Sequence, residues 1–466
     1  MVLNLLPWAR SEVVRSPMKS QTAHYLHASG ENGVLSSREL NAASDDSNTS
    51  IKEIKKGCYQ LSNKQYMVEV SEGAITSLYD RIANREVIPR GERANQFVLF
   101  DDKPLYWQAW DVEVYHLNSR QELPSGKTVV TERGPHRVSV TTETKISDKS
   151  WIRTNIGLSA VVDDNQPACI EMESEVEWHE TMKFLKVEFP VDIVNTEASY
   201  ETQFGIVRRP THYNTTWDMA KFEVCCHKWA DLSEAGYGVS ILNDSKYGFA
   251  TCGNLMRLSL LRAPKAPDAH ADMGTFFSSF SLATCVFPDD YDDDDDTNVY
   301  LIGRHKIRYA ILPHPGPLNH ITVRKAFEFN HPLAESIHSH PSPTAVTPLL
   351  SAIKLRGSEA LILDTIKRGE DDEDVGIDDG SLLVRRKGRS VVLRIYDSLG
   401  GKARGRIEWD GALLPVKKVC KCNVLEDDGE ELTGGIGKKG SDGGRDFRGV
   451  DIELRAFEVA TYRLQL

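Results

Sequence analysis

Two cysteines and one acidic run are the groupings in this sequence that could bind a metal. Cys420 and Cys422 alternate on a strand-like run, so both thiols face the same side, as a soft-metal or redox site would need. No second Cys or His pair stands near them, which favours two ordinary strand cysteines. Residues 289–296 (DDYDDDDD) have neither the glycine nor the spacing of a loop that wraps Ca²⁺. We therefore expect a solvated acidic loop there and no metal site in this chain.

Aromatic and polar side chains concentrate in two stretches that could recognise a hydroxyl-rich ligand. Trp107 and Trp110 could stack on the C–H face of a pyranose ring, and packing in a sandwich core explains them equally well. The stretch 209–234 lacks clean strand alternation, and its composition is typical of a binding loop. The alternative, equally weighted, is a buried hydrogen-bond network. The candidate contact residues are His212, Asn214, Trp217, Asp218, His227, Trp229, Asp231 and Arg262.

The elements that must position these side chains are strands. In residues 170–178 apolar residues alternate with polar ones, and this period of two places Ile170, Met172, Val176 and Trp178 on one face. No long segment shows helical periodicity, and Gly, Pro, Asn and Asp separate the strand-like runs. These features predict an all-β protein built from sandwiches. The other predicted strands cover residues 66–70, 74–79, 137–144, 186–193, 352–355, 390–396 and 457–466.

Changes of composition divide the chain into four segments. Residues 1–50 are predicted to form a lead-in strand and a polar, Ser/Asn-rich loop, and residues 51–315 a large sandwich. The Pro- and His-rich residues 316–347 are predicted to be a linker. Residues 348–466 are predicted to form a second, smaller β-sandwich.

Composition and charge exclude some functions. A net charge of −12 over 466 residues argues against a general nucleic-acid binder, which needs a basic face. No run of about 20 apolar residues is present, so no membrane span or membrane partner is expected. The eight cysteines are sparse and are expected to be reduced thiols. Together with the lack of a recognisable signal peptide, they predict a cytoplasmic or vacuolar protein.

A series of ordered motifs resembles the C-terminal β region of glycoside hydrolase family 38 α-mannosidases, of the cytosolic and vacuolar branch. The resemblance begins with NLLPWARSEV at residues 4–13 and includes YWQAWDV at residues 106–112. Its densest part runs from RPTHYN at residues 209–214 to RLSLLRAPKAPD at residues 257–268. Further matching blocks lie at residues 73–80, 94–97, 201–205, 217–223, 227–234, 237–240, 242–248 and 454–459.

The resemblance implies two halves of a retaining glycosidase that removes terminal non-reducing α-D-mannose from oligosaccharides. The family's N-terminal half holds an aspartate nucleophile, an acid/base aspartate and a divalent metal, usually zinc. We recognise no counterpart of that half, so we assign no catalytic residue or cofactor here and expect the chain alone to be inactive. The C-terminal half is a mutarotase-like supersandwich, here residues 51–315, with a smaller sandwich. The stretch 209–234 could reach the cleft, with a buried network as the equal alternative, and the expected partners are the catalytic half and mannose-containing oligosaccharides.

One departure from the family pattern follows a His-x-Asp pair. His270 and Asp272 have the spacing of the family's metal motif, but their block belongs to the C-terminal half, and we expect a loop or turn. Residues 275–303 then interrupt the pattern, which resumes at Arg304. We expect this Ser/Phe- and Asp-rich stretch to be an insertion, either a surface loop or translated non-coding sequence.

Two other functions fit an isolated β region of this kind. The chain could be a free-standing carbohydrate-binding module that uses the large sandwich as a lectin. It could also be an interaction domain that forms homo-oligomers. Loss of glycan binding on substitution of Trp107, Trp110 or Trp217 would favour the first, and self-association without glycan binding would favour the second.

Overall fold

Strands dominate the described part of the chain. The computed structural model describes residues 2–3, 6–8, 10–15, 25–30, 49–106, 109, 111–161, 163–264, 303–335, 353–372, 388–432, 440–442 and 445–466. Within them the helical elements are the α-helices Thr216–Met219 and His320–Asn330 and the 3-10 helix Val114–Ser119. None of these described helices has the length and apolar character needed to cross a membrane. The predicted all-β class is confirmed.

Two antiparallel sheets of nine and six strands form the larger sandwich. In spatial order the nine strands are Lys127–Arg133, Arg137–Lys145, Trp151–Ser159, Ile170–Trp178, Gly303–Pro315, Tyr237–Asn243, Trp229–Ser233, Glu197–Thr202 and Gly205–Pro210. The six strands are Gln121–Glu122, Gln96–Asp101, Lys183–Pro190, Leu255–Arg262, Gly248–Cys252 and Val224–Cys225.

The two sheets pack because their strands present apolar faces to each other. Ile170, Met172, Val176 and Trp178 are all buried, whereas the glutamates between them are half-buried or exposed, as the alternation predicts. These four side chains share one core with Val187 and its neighbours on the six-stranded sheet. Full burial of such a side chain contributes about 1.5–3 kcal/mol, so the alternation holds the sandwich together.

A five-stranded sheet extends this core. Its strands are Ser50–Lys55, Cys58–Ser62, Tyr66–Ser71, Ala74–Asp80 and Arg85–Glu86. Leu61, Val68 and Leu78 join the core cluster of the larger sandwich.

Two more sheets form the smaller C-terminal sandwich around the buried Trp409. The four-stranded sheet contains, in order, Ile353–Gly357, Ala403–Asp410, Arg445–Leu454 and Gly440–Asp442. The five-stranded sheet contains Leu361–Arg368, Ser390–Asp397, Val459–Gln465, Lys418–Cys422 and Asp428–Glu431.

The linker prediction is wrong for part of residues 316–347, because helix His320–Asn330 lies there. The Asn319 side chain caps the helix by accepting a hydrogen bond from Ile321 N at 2.8 Å. Val323, Ala326 and Phe327 are buried in a cluster with Trp229 of the nine-stranded sheet. That cluster also contains Ile362 and Tyr396, so the helix joins the larger sandwich to the smaller one. Residues 336–347 lie outside the described part.

The predicted polar loop within residues 1–50 also contains regular structure. Strand Tyr25–Gly30 pairs with Arg10–Arg15, and Val2–Leu3 pairs with Ala334–Glu335. Backbone hydrogen bonds make such pairs whatever the side chains are, so the absence of apolar alternation did not exclude a strand. The predicted insertion lies outside the described residues except for Gly303, which begins a strand.

Candidate functional site

The face of the six-stranded sheet that turns away from the nine-stranded sheet carries an unusual set of charged side chains. We call it the outer face. Along strand Lys183–Pro190, Leu185 belongs to the main core, so the alternation places Phe184, Lys186 and Glu188 on the outer face. The 3-10 helix and the part of stretch 211–227 around Phe222 and Glu223 cover this face. They meet where the rings of His116 and Phe222 lie 5.9 Å apart.

A buried ion pair lies at the centre of the outer face. Lys186 Nζ lies 2.5 Å from Glu223 Oε2, and the lysine side chain is fully buried. The ammonium also lies 4.3 Å from the centre of the Phe184 ring. Burial lowers the pKa of Lys186, and the Ser259 hydroxyl donates a further hydrogen bond to Glu223. In this low-dielectric layer, the charge of Lys186 and the charge of Glu223 compensate each other.

A second ion pair lies at the end of the same face, between Arg262 and Asp102. The guanidinium donates from Nε and one terminal nitrogen to the two carboxylate oxygens, each at 2.8 Å. It also donates to the Asp111 carbonyl at 2.7 Å. Both side chains are 1% exposed, and burial raises the pKa of Asp102. This two-point geometry ties the end of one strand to the loop after another.

Glu188 forms the third charged group. It accepts hydrogen bonds from Arg120 at 2.6 Å and from Arg257 at 2.6 Å. Burial acts to raise the pKa of Glu188, but these hydrogen bonds outweigh it and hold the pKa below its ordinary value. Lys186, Glu188, Asp102 and Glu223 were not predicted. Lys186 and Glu188 alternate along a strand, and charged residues in this pattern indicate an ordinary solvent-facing side.

His116 sits among the aromatic rings of this face, and burial, followed by the nearby Lys186 charge, lowers its pKa to about 4. Its Nδ1 donates to the Glu113 carbonyl at 2.7 Å, and its Nε2 has no partner within the described residues. A histidine in the unfolded state has a pKa near 6.5. Below that pH, the His116 ring binds a proton in the unfolded state but stays neutral in the folded state. Stability contributed by the neutral ring is therefore lost as pH falls from about 6.5 to about 4.

Replacing His116 by phenylalanine is expected to flatten the pH dependence of unfolding, because phenylalanine keeps the ring and removes the titration. The wild-type chain should lose about 2 kcal/mol more than the variant between pH 7 and pH 5. Urea unfolding of both proteins at the two pH values measures this difference. Equal losses of unfolding free energy in the two proteins would contradict the assignment of this pH dependence to His116.

Exposed apolar side chains surround the covering segments. Leu105 and Tyr106 lie in the loop before the 3-10 helix, Tyr115 lies in that helix, and Trp217 and Met219 lie in stretch 211–227. Trp217 is 80% exposed, which is unusual for a side chain of this size. A contiguous patch of such exposed apolar groups would mark a surface that contacts another macromolecule.

Four of the predicted contact residues lie within residues 212–218 of the covering stretch. Asn214 and Trp217 are exposed, and His212 and Asp218 are half-buried. His212 Nδ1 lies 3.7 Å from Asp218 Oδ2, and Asp218 forms a reciprocal cap with Thr215 at the start of helix Thr216–Met219. Their contact with a ligand stays a prediction. Trp107 and Trp110 lie outside the described residues.

The other four predicted residues are buried or half-buried in the described structure. Trp229 is 1% exposed and packs in the cluster that joins the two sandwiches. Asp231 is equally buried and accepts hydrogen bonds from Ser233 and Ser240. Arg262 is held by Asp102, so these three side chains cannot touch a ligand in this conformation. The half-buried His227 packs against Tyr247 with ring centres 5.2 Å apart.

No group of three or more His, Cys, Asp or Glu side chains could hold a metal ion within the described residues. Cys420 is buried and Cys422 half-buried on strand Lys418–Cys422, and both are free. His270, Asp272 and the acidic run at residues 289–296 lie outside the described part. The zinc that the resemblance implies therefore does not fit any described group, and we derive no step through it.

Two family profiles match the chain. The glycosyl hydrolases family 38 C-terminal domain matches residues 61–270, and the family's C-terminal beta sandwich domain matches residues 360–462. The Saccharomyces cerevisiae protein "Alpha-mannosidase" is 42% identical over 400 residues, covering 84% of this chain and 33% of that protein. Human "Alpha-mannosidase 2C1" is 36% identical over 435 residues, covering 91% of this chain and 36% of that protein. The chain thus spans about a third of the length of these relatives.

The fold matches a solved structure as well. The crystal structure of an alpha-mannosidase from Enterococcus faecalis V583 has a TM-score of 0.63 and 13% sequence identity, covering 99% of this chain and 49% of that one. At this identity the likeness shows the fold, and it agrees with the predicted β-sandwich class.

Proposed function

This chain belongs to glycosyl hydrolase family 38, as its C-terminal β region, and we propose that it works as one part of an α-mannosidase. The reaction is the retaining hydrolysis of terminal non-reducing α-D-mannose residues in oligosaccharides. The observation that carries this proposal is the 42% identity to the yeast relative over 84% of the chain. We also propose a cytoplasmic or vacuolar location, which the seven free cysteines of the described part support.

We propose that the chemistry itself comes from residues beyond the described ones. A retaining glycosidase needs two carboxylates about 5–5.5 Å apart, one as nucleophile and one as acid/base. On the outer face Asp102, Glu188 and Glu223 are each engaged by a cation, so none is available for either role. We therefore propose that the nucleophile, the acid/base and the zinc lie in the part of the enzyme that corresponds to the rest of the relatives' length.

We propose that the segments covering the outer face dock that catalytic part. Their exposed apolar side chains supply the contact surface, and the buried ion pairs hold these segments against the sheet. Stretch 211–227 then lies where its polar residues can approach the cleft.

The test is hydrolysis of an aryl α-mannoside with zinc present. The 466-residue chain is assayed alone and after mixing with the N-terminal part of the yeast relative. We expect no turnover by either alone and measurable turnover after mixing. Turnover by this chain alone would overturn the division of roles, and no turnover after stable association would overturn the proposed function.

Replacing Trp217 by alanine is expected to weaken this association by at least about tenfold, because an exposed tryptophan at an interface centre contributes about 2 kcal/mol or more. The matched control is Leu425→Ala in the smaller sandwich, where the side chain is 79% exposed. Calorimetric titration of the catalytic part into each variant measures the affinity. Equal affinities for the two variants would place the interface elsewhere.

A further inference from the structure

The nine-stranded sheet of the larger sandwich ends in an edge strand whose outer side is unpaired. This strand, Gly205–Pro210, pairs with Glu197–Thr202 on one side only. Outside that pairing, its six residues make no backbone–backbone hydrogen bond with another described residue. An edge strand of this kind presents a row of free N–H and C=O groups, to which another extended chain can pair.

The register of the pairing identifies the residues that carry these free groups. Thr211 N donates to Thr196 O at 3.0 Å, so these two residues form a hydrogen-bonded pair just beyond the strand. In an antiparallel ladder, hydrogen-bonded and non-hydrogen-bonded pairs alternate. Ile206 and Arg208 therefore belong to non-hydrogen-bonded pairs, and their N–H and C=O groups point away from the sheet. The Arg208 carbonyl accepts a long contact of 3.3 Å from the Arg209 side chain, and its second lone pair stays open.

The other edges of the two main sheets are protected against such pairing. The six-stranded sheet ends on both sides in strands of two residues, Gln121–Glu122 and Val224–Cys225. The opposite edge of the nine-stranded sheet, Lys127–Arg133, contains a register shift and carries a lysine, a glutamate and an arginine. Short strands, bulges and charges are the usual devices that block an edge. Strand Gly205–Pro210 is six residues long and in continuous register, so neither shortness nor a bulge blocks it.

The space beside this strand is open, and its charges favour an acidic neighbour. Ile206 and Arg208 line a groove of about 290 Å³ together with Leu399, and side chains of an added strand could enter it. Arg208 is exposed and Arg209 half-buried, and neither forms an ion pair within the described residues. The exposed Glu197 on the neighbouring strand lies opposite Pro210 and pairs with neither arginine. Acidic side chains on the added strand would supply the missing counter-charges.

Two observations favour the catalytic part over a second copy of this chain as the source of that strand. Strand Gly205–Pro210 runs directly into stretch 211–227, which carries the exposed Trp217. Pairing of two copies along this edge would gather two Arg208 and two Arg209 side chains, which repel each other. We propose that this edge accepts an extended segment of the catalytic part as a further strand, with acidic side chains beside the two arginines. This inference rests on the proposed association of the two parts.

The experiment is calorimetric titration of the N-terminal part of the yeast relative into the 466-residue chain and into two variants at Arg208. Arg208→Ala removes the charge and keeps the outward N–H group. Arg208→Pro removes both, and it spares the sheet because that N–H group makes no bond inside the ladder. We expect Arg208→Ala to weaken the association, and Arg208→Pro to weaken it about tenfold more, because a carbonyl of the added strand loses its donor.

Hydrogen exchange locates the added strand and contains its own control. The amides of Ile206 and Arg208 are expected to exchange fast in the chain alone and slowly in the complex. The amide of Val207 belongs to a hydrogen-bonded pair with Tyr200, so it should be protected in both states. Arg404→Ala, at an exposed arginine of the smaller sandwich, should leave the affinity unchanged. Thermal melting confirms that each variant is folded.

Three results would overturn the added strand. The first is equal affinity of the catalytic part for the Arg208→Ala and Arg208→Pro variants, and the second is fast exchange at Ile206 and Arg208 in the complex. The third is protection of these two amides in the chain alone that grows with its concentration, which would identify a second copy as the occupant. Each of these results is compatible with turnover of the aryl α-mannoside after mixing, so the proposed function would stand. Stable association with a protected edge but no turnover would instead overturn the proposed function and leave the added strand in place.

Discussion

Asp102→Ala is expected to lower the free energy of unfolding by about 3–5 kcal/mol, because it leaves the Arg262 guanidinium buried without its counter-charge. The pair is 1% exposed on both sides, so water cannot solvate the remaining cation. Two hydrogen bonds of 2.8 Å are lost at the same time. Urea unfolding followed by tryptophan fluorescence measures the shift.

Two controls separate the charge effect from simple loss of a side chain. Asp451→Ala breaks an exposed pair with Arg406 at 2.7 Å, where the aspartate is 71% exposed, and should cost less than about 1 kcal/mol. A double variant, Asp102→Leu with Arg262→Met, should recover much of the stability because it leaves no buried charge. A cost for Asp102→Ala no larger than for Asp451→Ala would show that the outer face is hydrated.

Trp229→Ala is expected to destabilise the protein by about 3–5 kcal/mol, because it empties the cluster that joins the nine-stranded sheet, helix His320–Asn330 and the smaller sandwich. Trp229 is 1% exposed, and its Nε1 has no partner within the described part of the chain. Trp229→Phe should therefore cost much less, since only part of the volume is lost. Urea and thermal unfolding measure both variants.

Trp217→Ala is the matched control for this prediction. The same substitution at a side chain that is 80% exposed should change stability by less than about 0.5 kcal/mol. The two tryptophans stand 12 residues apart in the same predicted contact stretch. Comparable losses at both positions would contradict the assignment of one to the core and the other to a surface.

The strand alternation and the order of the motifs could be recognised from the sequence alone. The period of two in residues 170–178 depends only on the side chains of that strand, and the structure buries all four predicted apolar residues. Helix His320–Asn330 escaped prediction because its apolar face spans only three turns inside a Pro- and His-rich stretch. Its stability comes from packing against Trp229 and Tyr396, which are distant in the chain.

The sequence by itself determined the all-β class and the family, because alternation and motif order are local properties of the chain. The tertiary structure alone decided which polar residues are buried. Lys186 and Glu188 have the same local pattern as solvent-facing residues, but Lys186 is covered by Glu223 of stretch 211–227 and Glu188 by Arg120 and Arg257. Likewise, Asp231 and His314 are 83 residues apart in sequence and meet at 2.7 Å because their strands share one sheet. The burial of a polar residue depends on which segment packs over it, and the local sequence pattern does not indicate that segment.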